Sequence, residues 1–389
     1  MAIIIINAAA ALLAVAFAGL DAGAATPAVT LLAAVILLAT LLARRSRIAF
    51  TRATGLFLPT LASLLALTAA AAWGGAHVFD PSAPDVIGGV RAAAPVLTVG
   101  LAGFAYYAAG FAYGRTAAAI GLMACAPLTA AIVLVAGGPA RDAAQHGAAF
   151  GMIALLCLFT IADEIRRRPT LGGPPPPPLT RRLFAPIAGL LSAFAVLAWE
   201  GAAAALVAFV IGAAVFLAAL TIRAQRSRLG LAILPVSAGA AFAAALLGGG
   251  AALLNGGADR LFAAFGGLEM AASATVQALQ RAPVLGDGAT TSGAPAAVSA
   301  LHGLGLAGYA AMALGVALLA AALSAMKDGG RRPSRGFALV LGLAALALTS
   351  AALSPDFASP SAALTFALML GQAASFRDQR RAARSQPES

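Results

Sequence analysis

Residues 201–222 read GAAAALVAFVIGAAVFLAALTI, a run of 22 residues without a single charged side chain. A helix of this length is about 33 Å long, because each residue adds about 1.5 Å. The hydrocarbon core of a bilayer is about 30 Å thick. Backbone groups in lipid must bond to each other, so this run predicts a transmembrane helix.

Runs of the same kind recur along the whole chain. Hydrophobic residues make up 61% of it and charged residues only 10%, whereas soluble domains carry about 25% charged residues. We therefore predict an all-α, polytopic membrane protein with about 12 transmembrane helices in a single integral membrane domain over 1–389. The predicted spans are approximately 3–20, 26–43, 54–74, 93–113, 117–137, 147–165, 183–198, 201–222, 229–254, 303–325, 336–353 and 360–376.

The basic residues predict which way these helices run. With a cytoplasmic N-terminus and twelve spans, 21 of the 25 Lys and Arg residues fall in cytoplasmic segments. Cytoplasmic loops of membrane proteins carry such an excess, so both termini are expected in the cytoplasm. The net charge of +11 thus reflects membrane topology. It indicates membrane lipids as partners and not nucleic acid.

Two loops stand out by composition. Residues 166–182 form an Arg- and Pro-rich cytoplasmic loop that contains five consecutive prolines, Pro174–Pro178. Such a run is either a recognition ligand or a stiff spacer, and its place between two arginine clusters favours a spacer. Residues 255–302 form a large periplasmic loop between the ninth and tenth spans.

The candidate site residues lie on the predicted outer face. His302 precedes the tenth span and is a candidate general base, and His146 precedes the sixth. Glu200 separates two apolar runs, where an ionisable group often faces a wet cavity. Arg281 and Asp287 flank the segment P-V-L-G at 283–286 and are candidates for binding an anionic head group. For each of these residues a solvated loop, turn or helix-capping role stays open.

No metal site and no cofactor is predicted. Cys125 and Cys157 both fall inside apolar runs, where cysteine behaves as a small hydrophobic residue, and no metal-ligand spacing is present. Residues 303–308 spell G-x-G-x-x-G, but a dinucleotide site needs a preceding strand. Here the glycines open a membrane helix, where they favour close approach of a neighbouring helix or a lipid chain.

Several of these segments together resemble the O-antigen ligase and polymerase superfamily. The resemblance rests first on P-V-L-G-D-G at 283–288, His302 and G-L-G-L-A-G at 303–308. It extends to E-G-A-A-A-A-L at 200–206 and Q-H-G-A-A-F at 145–150. The segment S-P-D-F at 354–357, followed by Pro360, is similar to the family's segment before the last helix. The order of the motifs and the twelve-span layout agree over most of the chain.

The resemblance implies a metal-independent glycosyltransferase of the bacterial inner membrane. Such an enzyme moves a glycan from an undecaprenyl diphosphate carrier to a lipid or sugar acceptor on the periplasmic side. His302 would be the base or orienting group and Glu200 an acceptor-side catalytic carboxylate. Arg281, Asp287 and His146 would bind substrate. Three departures matter: Glu200 stands where the family has arginine, Gly303 stands where it has asparagine, and the arginine expected roughly at Leu268–Glu269 is absent.

A second function stays open at this stage. The chain has the same general composition as a flippase-type transporter or a non-catalytic scaffold in cell-envelope polysaccharide assembly. A transporter should place polar groups near the membrane midplane along a central path. The apolar runs contain few such charges, which disfavours ion-coupled transport. A membrane protein outside both classes is the third alternative.

Overall fold

A computed structural model describes residues 146–165, 178–224 and 335–353, together with single or short positions within 127–131, 273–310 and 365–369. The long described segments form four α-helices: α1 (Gly147–Ile165), α2 (Leu179–Trp199), α3 (Ala203–Ala224) and α4 (Arg335–Leu353). Three stretches are long and apolar enough to cross a membrane, namely Gly147–Ile165, Arg182–Trp199 and Ala203–Leu220. The all-helical prediction is confirmed for this part of the chain.

The helix boundaries follow the apolar runs closely. The prediction of a span at 147–165 coincides with α1, and that at 336–353 with all but the first residue of α4. The eighth span was expected from 201, but α3 begins at Ala203 because Gly201 adopts a left-handed conformation that ends the preceding helix. The twelve-span count and the loop at 255–302 lie largely outside the described residues.

Helix α2 begins earlier than its apolar run suggests. The backbone of Pro178 is extended, with φ −54° and ψ 146°, and Leu179 is the first helical residue. A residue that precedes a proline disfavours helical dihedrals, and Pro178 is the first residue of the run that no proline follows. The helix therefore starts directly after the proline run. Arg182, expected in the 166–182 loop, therefore lies in the first turn of α2.

Helix α1 is the centre of the described bundle. It packs against α2, α3 and α4, whereas α2 and α3 contact each other much less. All thirteen residues from Gly147 to Phe159 are buried. A helix that is apolar all round is stable only when other helices or lipid surround it, which fits this central place. Edge-to-face ring contacts join Phe159 to Phe216 and Phe194 to Phe209.

Helices α3 and α4 run antiparallel and approach each other most closely at two glycines. A Cβ atom on Gly212 would lie 2.8 Å from the Gly342 carbonyl oxygen and 2.8 Å from Leu346 Cβ. A Cβ atom on Gly342 would lie 2.8 Å from Phe216 Cβ. These contacts leave no room for a side chain, so the two backbones touch through glycine, as membrane helices commonly do.

Candidate functional site

The site is built on the tight turn that joins α2 to α3. Glu200 is the C-cap residue after Trp199 and still has helical dihedrals, and Gly201 follows with a φ of 61°. The Ala202 N–H donates to the Leu197 carbonyl over 3.0 Å, and the Gly201 N–H donates to the Ala198 carbonyl over 3.2 Å. This pair of bonds defines a Schellman motif, which satisfies the carbonyls at the end of α2. The motif fixes the backbone that carries Glu200.

Gly201 is expected to be sensitive to substitution for this reason. An L-residue in the left-handed region costs about 1–2 kcal/mol, so Gly201→Ala should destabilise the protein by about that amount. Gly201→Asn is the matched control, because asparagine is the other residue that commonly ends helices in this conformation. The measurement is the thermal unfolding midpoint of the purified protein in detergent. An alanine variant as stable as wild type would contradict the turn geometry.

The second component of the site stands at the beginning of α1. The Phe150 N–H donates to the His146 carbonyl over 3.0 Å, which is the first bond of the helix. His146 is therefore the N-cap residue of α1. The first N–H groups of a helix have no partner within it and need one from elsewhere.

Glu200 supplies such a partner and also binds the imidazole ring. Its Oε1 lies 2.7 Å from His146 Nδ1, and its Oε2 accepts the His146 backbone N–H over 3.3 Å. Each side chain is only 12% exposed. One carboxylate thus holds both the backbone and the ring of a residue that is 54 positions away in sequence.

The electrostatics of this contact have two opposing contributions. The carboxylate of Glu200 lies at the N-terminus of α1, the positive end of that helix dipole. The same residue ends α2, whose last carbonyls carry partial negative charge. His146 contacts both carboxylate oxygens at hydrogen-bond distance, through its backbone N–H at 3.3 Å and through Nδ1 at 2.7 Å.

Of the five candidate site residues predicted from sequence, the structure describes only His146 and Glu200. Glu200 and His146 were singled out separately, and the structure brings them into direct contact. Arg281, Asp287 and His302 lie outside the described residues. One backbone hydrogen bond joins the P-V-L-G-D-G segment at 283–288 to the G-L-G-L-A-G segment at 303–308. In it the Leu306 N–H donates to the Pro283 carbonyl over 3.1 Å, and the neighbouring Gly305 has a φ of 60°.

Helices α1 and α2 pack side by side as an antiparallel hairpin, and a second ionisable pair joins them at the end away from His146 and Glu200. Arg182 Nη1 donates to Glu164 Oε2 over 3.1 Å, and Glu164 is buried. His146 and Glu164 are 18 residues apart, which corresponds to about 27 Å along a helix. That distance is close to the thickness of a hydrocarbon core, about 30 Å. The two pairs therefore lie one membrane thickness apart.

Ser350 adds a polar group that sequence reasoning missed. Its Oγ is the one buried side-chain oxygen among the described residues without a hydrogen-bond partner. Helix α4 runs antiparallel to α1, with Leu346 beside Gly151 and Gly342 beside Leu155. Ser350 lies one turn beyond Leu346 and is thus level with Gly147 at the His146 end of the bundle. A single serine among many small residues gives no signal in sequence.

The distribution of basic residues predicts on which side of the membrane each pair lies. The His146–Glu200 pair is expected on the periplasmic side and the Glu164–Arg182 pair on the cytoplasmic side. Cysteines introduced at Trp199 and Thr180, both exposed, report on the two ends of α2. In a protein with Cys125 and Cys157 replaced by alanine, a membrane-impermeant maleimide added to intact cells should label Trp199→Cys. Thr180→Cys should react only after permeabilisation.

Labelling of Thr180→Cys but not Trp199→Cys in intact cells would reverse the orientation. The parent protein without cysteines is the control for background reaction. Native Cys157 itself is fully buried within α1, as its sequence predicted.

The described residues contain no group of three or more His, Cys, Asp and Glu side chains that could hold a metal ion. Comparison of the chain with protein-family models, with curated proteins and with solved structures gives no match. Fold and composition define the class, a helical protein with apolar helices fit to span a membrane.

Proposed function

We propose that the protein is a multi-pass inner-membrane glycosyltransferase of surface polysaccharide assembly. It transfers a glycan from an undecaprenyl diphosphate carrier to a lipid or sugar acceptor at the periplasmic face. In this proposal the chain has twelve spans and both termini are cytoplasmic. The observation that carries the proposal is the 2.7 Å contact between His146 and Glu200 at one end of an apolar helix bundle.

The reaction needs residues of this chemistry. The acceptor hydroxyl must lose a proton as it attacks the sugar, and an imidazole or carboxylate can take it or orient the hydroxyl. The carrier leaves as a diphosphate, whose negative charge an arginine stabilises. In the proposal Arg281 contacts the diphosphate, Asp287 and His302 line the same outer site, and the His146–Glu200 pair faces the acceptor.

The arrangement of the pair suits the outer surface better than the membrane interior. A partly exposed imidazole–carboxylate pair can meet a polar acceptor, whereas a glycan cannot enter a dry bundle. Between the two ends of the hairpin, α1 carries no charged residue from Gly147 to Ala162, and α2 carries none from Leu183 to Trp199. Polar substrates are therefore expected at the end of the bundle and not along its middle.

The first experiment is deletion of the gene in its own organism. The account predicts altered lipopolysaccharide or exopolysaccharide on gels and recovery of the normal profile with the wild-type gene. Complementation by Glu164→Gln, altered at the opposite end of the hairpin, is the control for general effects of removing a charge. An unchanged glycan profile in the deletion strain would sink the proposed function.

A second candidate function has one observation in its favour. The hairpin of α1 and α2 is held by an ionisable pair at each end, Glu164–Arg182 and His146–Glu200. Two pairs placed in this way could serve only to hold the helices together. That reading favours a non-catalytic scaffold or a flippase-type transporter in surface polysaccharide assembly. For a scaffold, variants at His146 that keep the helices together should keep full function.

A further inference from the structure

We infer that His146 is the proton acceptor of the site and that Glu200 is its positioning residue. The inference rests on the proposed function for the identity of the substrate. It changes the roles expected from sequence, where His302 is the base or orienting group, Glu200 the catalytic carboxylate and His146 a binding residue. The reason is the direction of the contact between the two side chains.

The contact fixes which ring nitrogen carries the proton. An ionised carboxylate only accepts hydrogen bonds, so the nitrogen 2.7 Å from Glu200 Oε1 must donate. That nitrogen is Nδ1. In the neutral imidazole Nδ1 then carries the hydrogen and Nε2 is the basic atom.

The second bond of Glu200 prevents the carboxylate from turning away. Its Oε2 accepts the His146 backbone N–H, so both carboxylate oxygens are engaged by the same residue. The backbone beneath Glu200 is itself held by the Schellman turn at Gly201. The orientation of the His146 ring is thus set by Glu200, and the position of Glu200 is set by the turn at Gly201.

A carboxylate used in this way is a poor base for the acceptor. Its two oxygens already accept two N–H groups, and proton transfer to it would break the bond that holds the ring. The imidazole, in contrast, can take a proton at Nε2 and remain bonded to Glu200 through Nδ1. The carboxylate then faces a positive ring, which stabilises the protonated intermediate.

The step can be written with its atoms balanced. The acceptor hydroxyl oxygen forms a bond to the anomeric carbon of the carrier-linked sugar, while the bond from that carbon to the diphosphate oxygen breaks. The diphosphate leaves with the electron pair. The hydroxyl proton goes to Nε2 of His146, giving an imidazolium that later releases the proton to water.

The test uses His146→Asn with full-length protein in membranes. The asparagine amide can occupy the place of Nδ1 and donate to Glu200, but it has no basic nitrogen. We expect an unfolding midpoint close to wild type and a loss of glycan transfer of about 100-fold or more in the complemented deletion strain. Glu164→Gln is the matched control. Full complementation by His146→Asn would overturn the role of His146 and leave the proposed function standing.

A second measurement does not depend on the substrate. The chain contains three histidines, so ¹⁵N-histidine spectra of the protein in liposomes can be assigned with His146→Asn. At alkaline pH, where the ring is neutral, His146 should carry its proton on Nδ1, and Glu200→Ala should mix the two tautomers. A proton on Nε2 in the wild type would overturn the positioning role, whatever the glycan profile shows.

Discussion

Gly342→Ala should lower the thermal stability of the protein, whereas Gly151→Ala should leave it unchanged or raise it. The added Cβ at 342 would lie 2.8 Å from Phe216 Cβ and 2.9 Å from the Gly212 carbonyl oxygen. Neither atom is at the end of a flexible side chain, so α3 and α4 must move apart. Overpacking of this kind costs about 1–3 kcal/mol.

Gly151 provides the matched control because it lies in the same bundle with ordinary contacts. A Cβ there would meet the Ala205 carbonyl oxygen at 3.5 Å and Leu346 Cδ1 at 3.9 Å. Alanine is also a better helix former than glycine by about 1 kcal/mol. The two substitutions are chemically identical and are predicted to differ in sign.

The measurement is the unfolding midpoint of each variant in the same detergent. Gly212→Ala should behave like Gly342→Ala, because its Cβ would meet the Gly342 carbonyl oxygen and Leu346 Cβ at 2.8 Å each. Larger residues at either position should abolish folding of the full chain. If Gly342→Ala and Gly151→Ala have equal midpoints, the close approach of α3 and α4 is wrong.

The second large effect is expected from the His146–Glu200 pair itself. Glu200→Ala leaves the His146 backbone N–H and ring without the carboxylate at a place that is only 12% exposed. An unsatisfied buried polar group costs about 1–3 kcal/mol. We expect Glu200→Ala to be less stable than wild type by an amount in this range.

A double-mutant cycle separates the pair from its surroundings. His146→Ala removes the ring, so the double variant should be less damaged than the two single effects added together. Contacting residues show coupling of about 0.5–3 kcal/mol. Strict additivity of the two single variants would mean that the side chains do not interact in the protein.

The sequence predicted the four described helices well because their signal is local. Runs such as 147–165 and 201–222 have no charge in their apolar part, and Arg, Pro or Gly bounds them. Lipid or protein must then surround them, and only a helix satisfies their backbone. The remaining error was of two to four residues, at the Pro178 start of α2 and the Gly201 turn before α3.

The sequence could not predict which helices pack against each other, because packing depends on residues that are far apart in the chain. Glu200 and His146 were each identified as unusual, yet nothing in a single sequence says that residues 54 positions apart share a hydrogen bond. The chain has 42 glycines, so Gly212 and Gly342 could not be separated from the rest. Only the register of α3 against α4 distinguishes them.

The most direct test of the central claim is the amount of undecaprenyl diphosphate-linked glycan in the membrane. A strain that lacks the transfer activity cannot consume this donor. We expect the carrier-linked glycan to accumulate in the deletion strain and with His146→Asn, and to return to the normal level with wild type or Glu164→Gln. An unchanged level of carrier-linked glycan in the deletion strain would contradict the account.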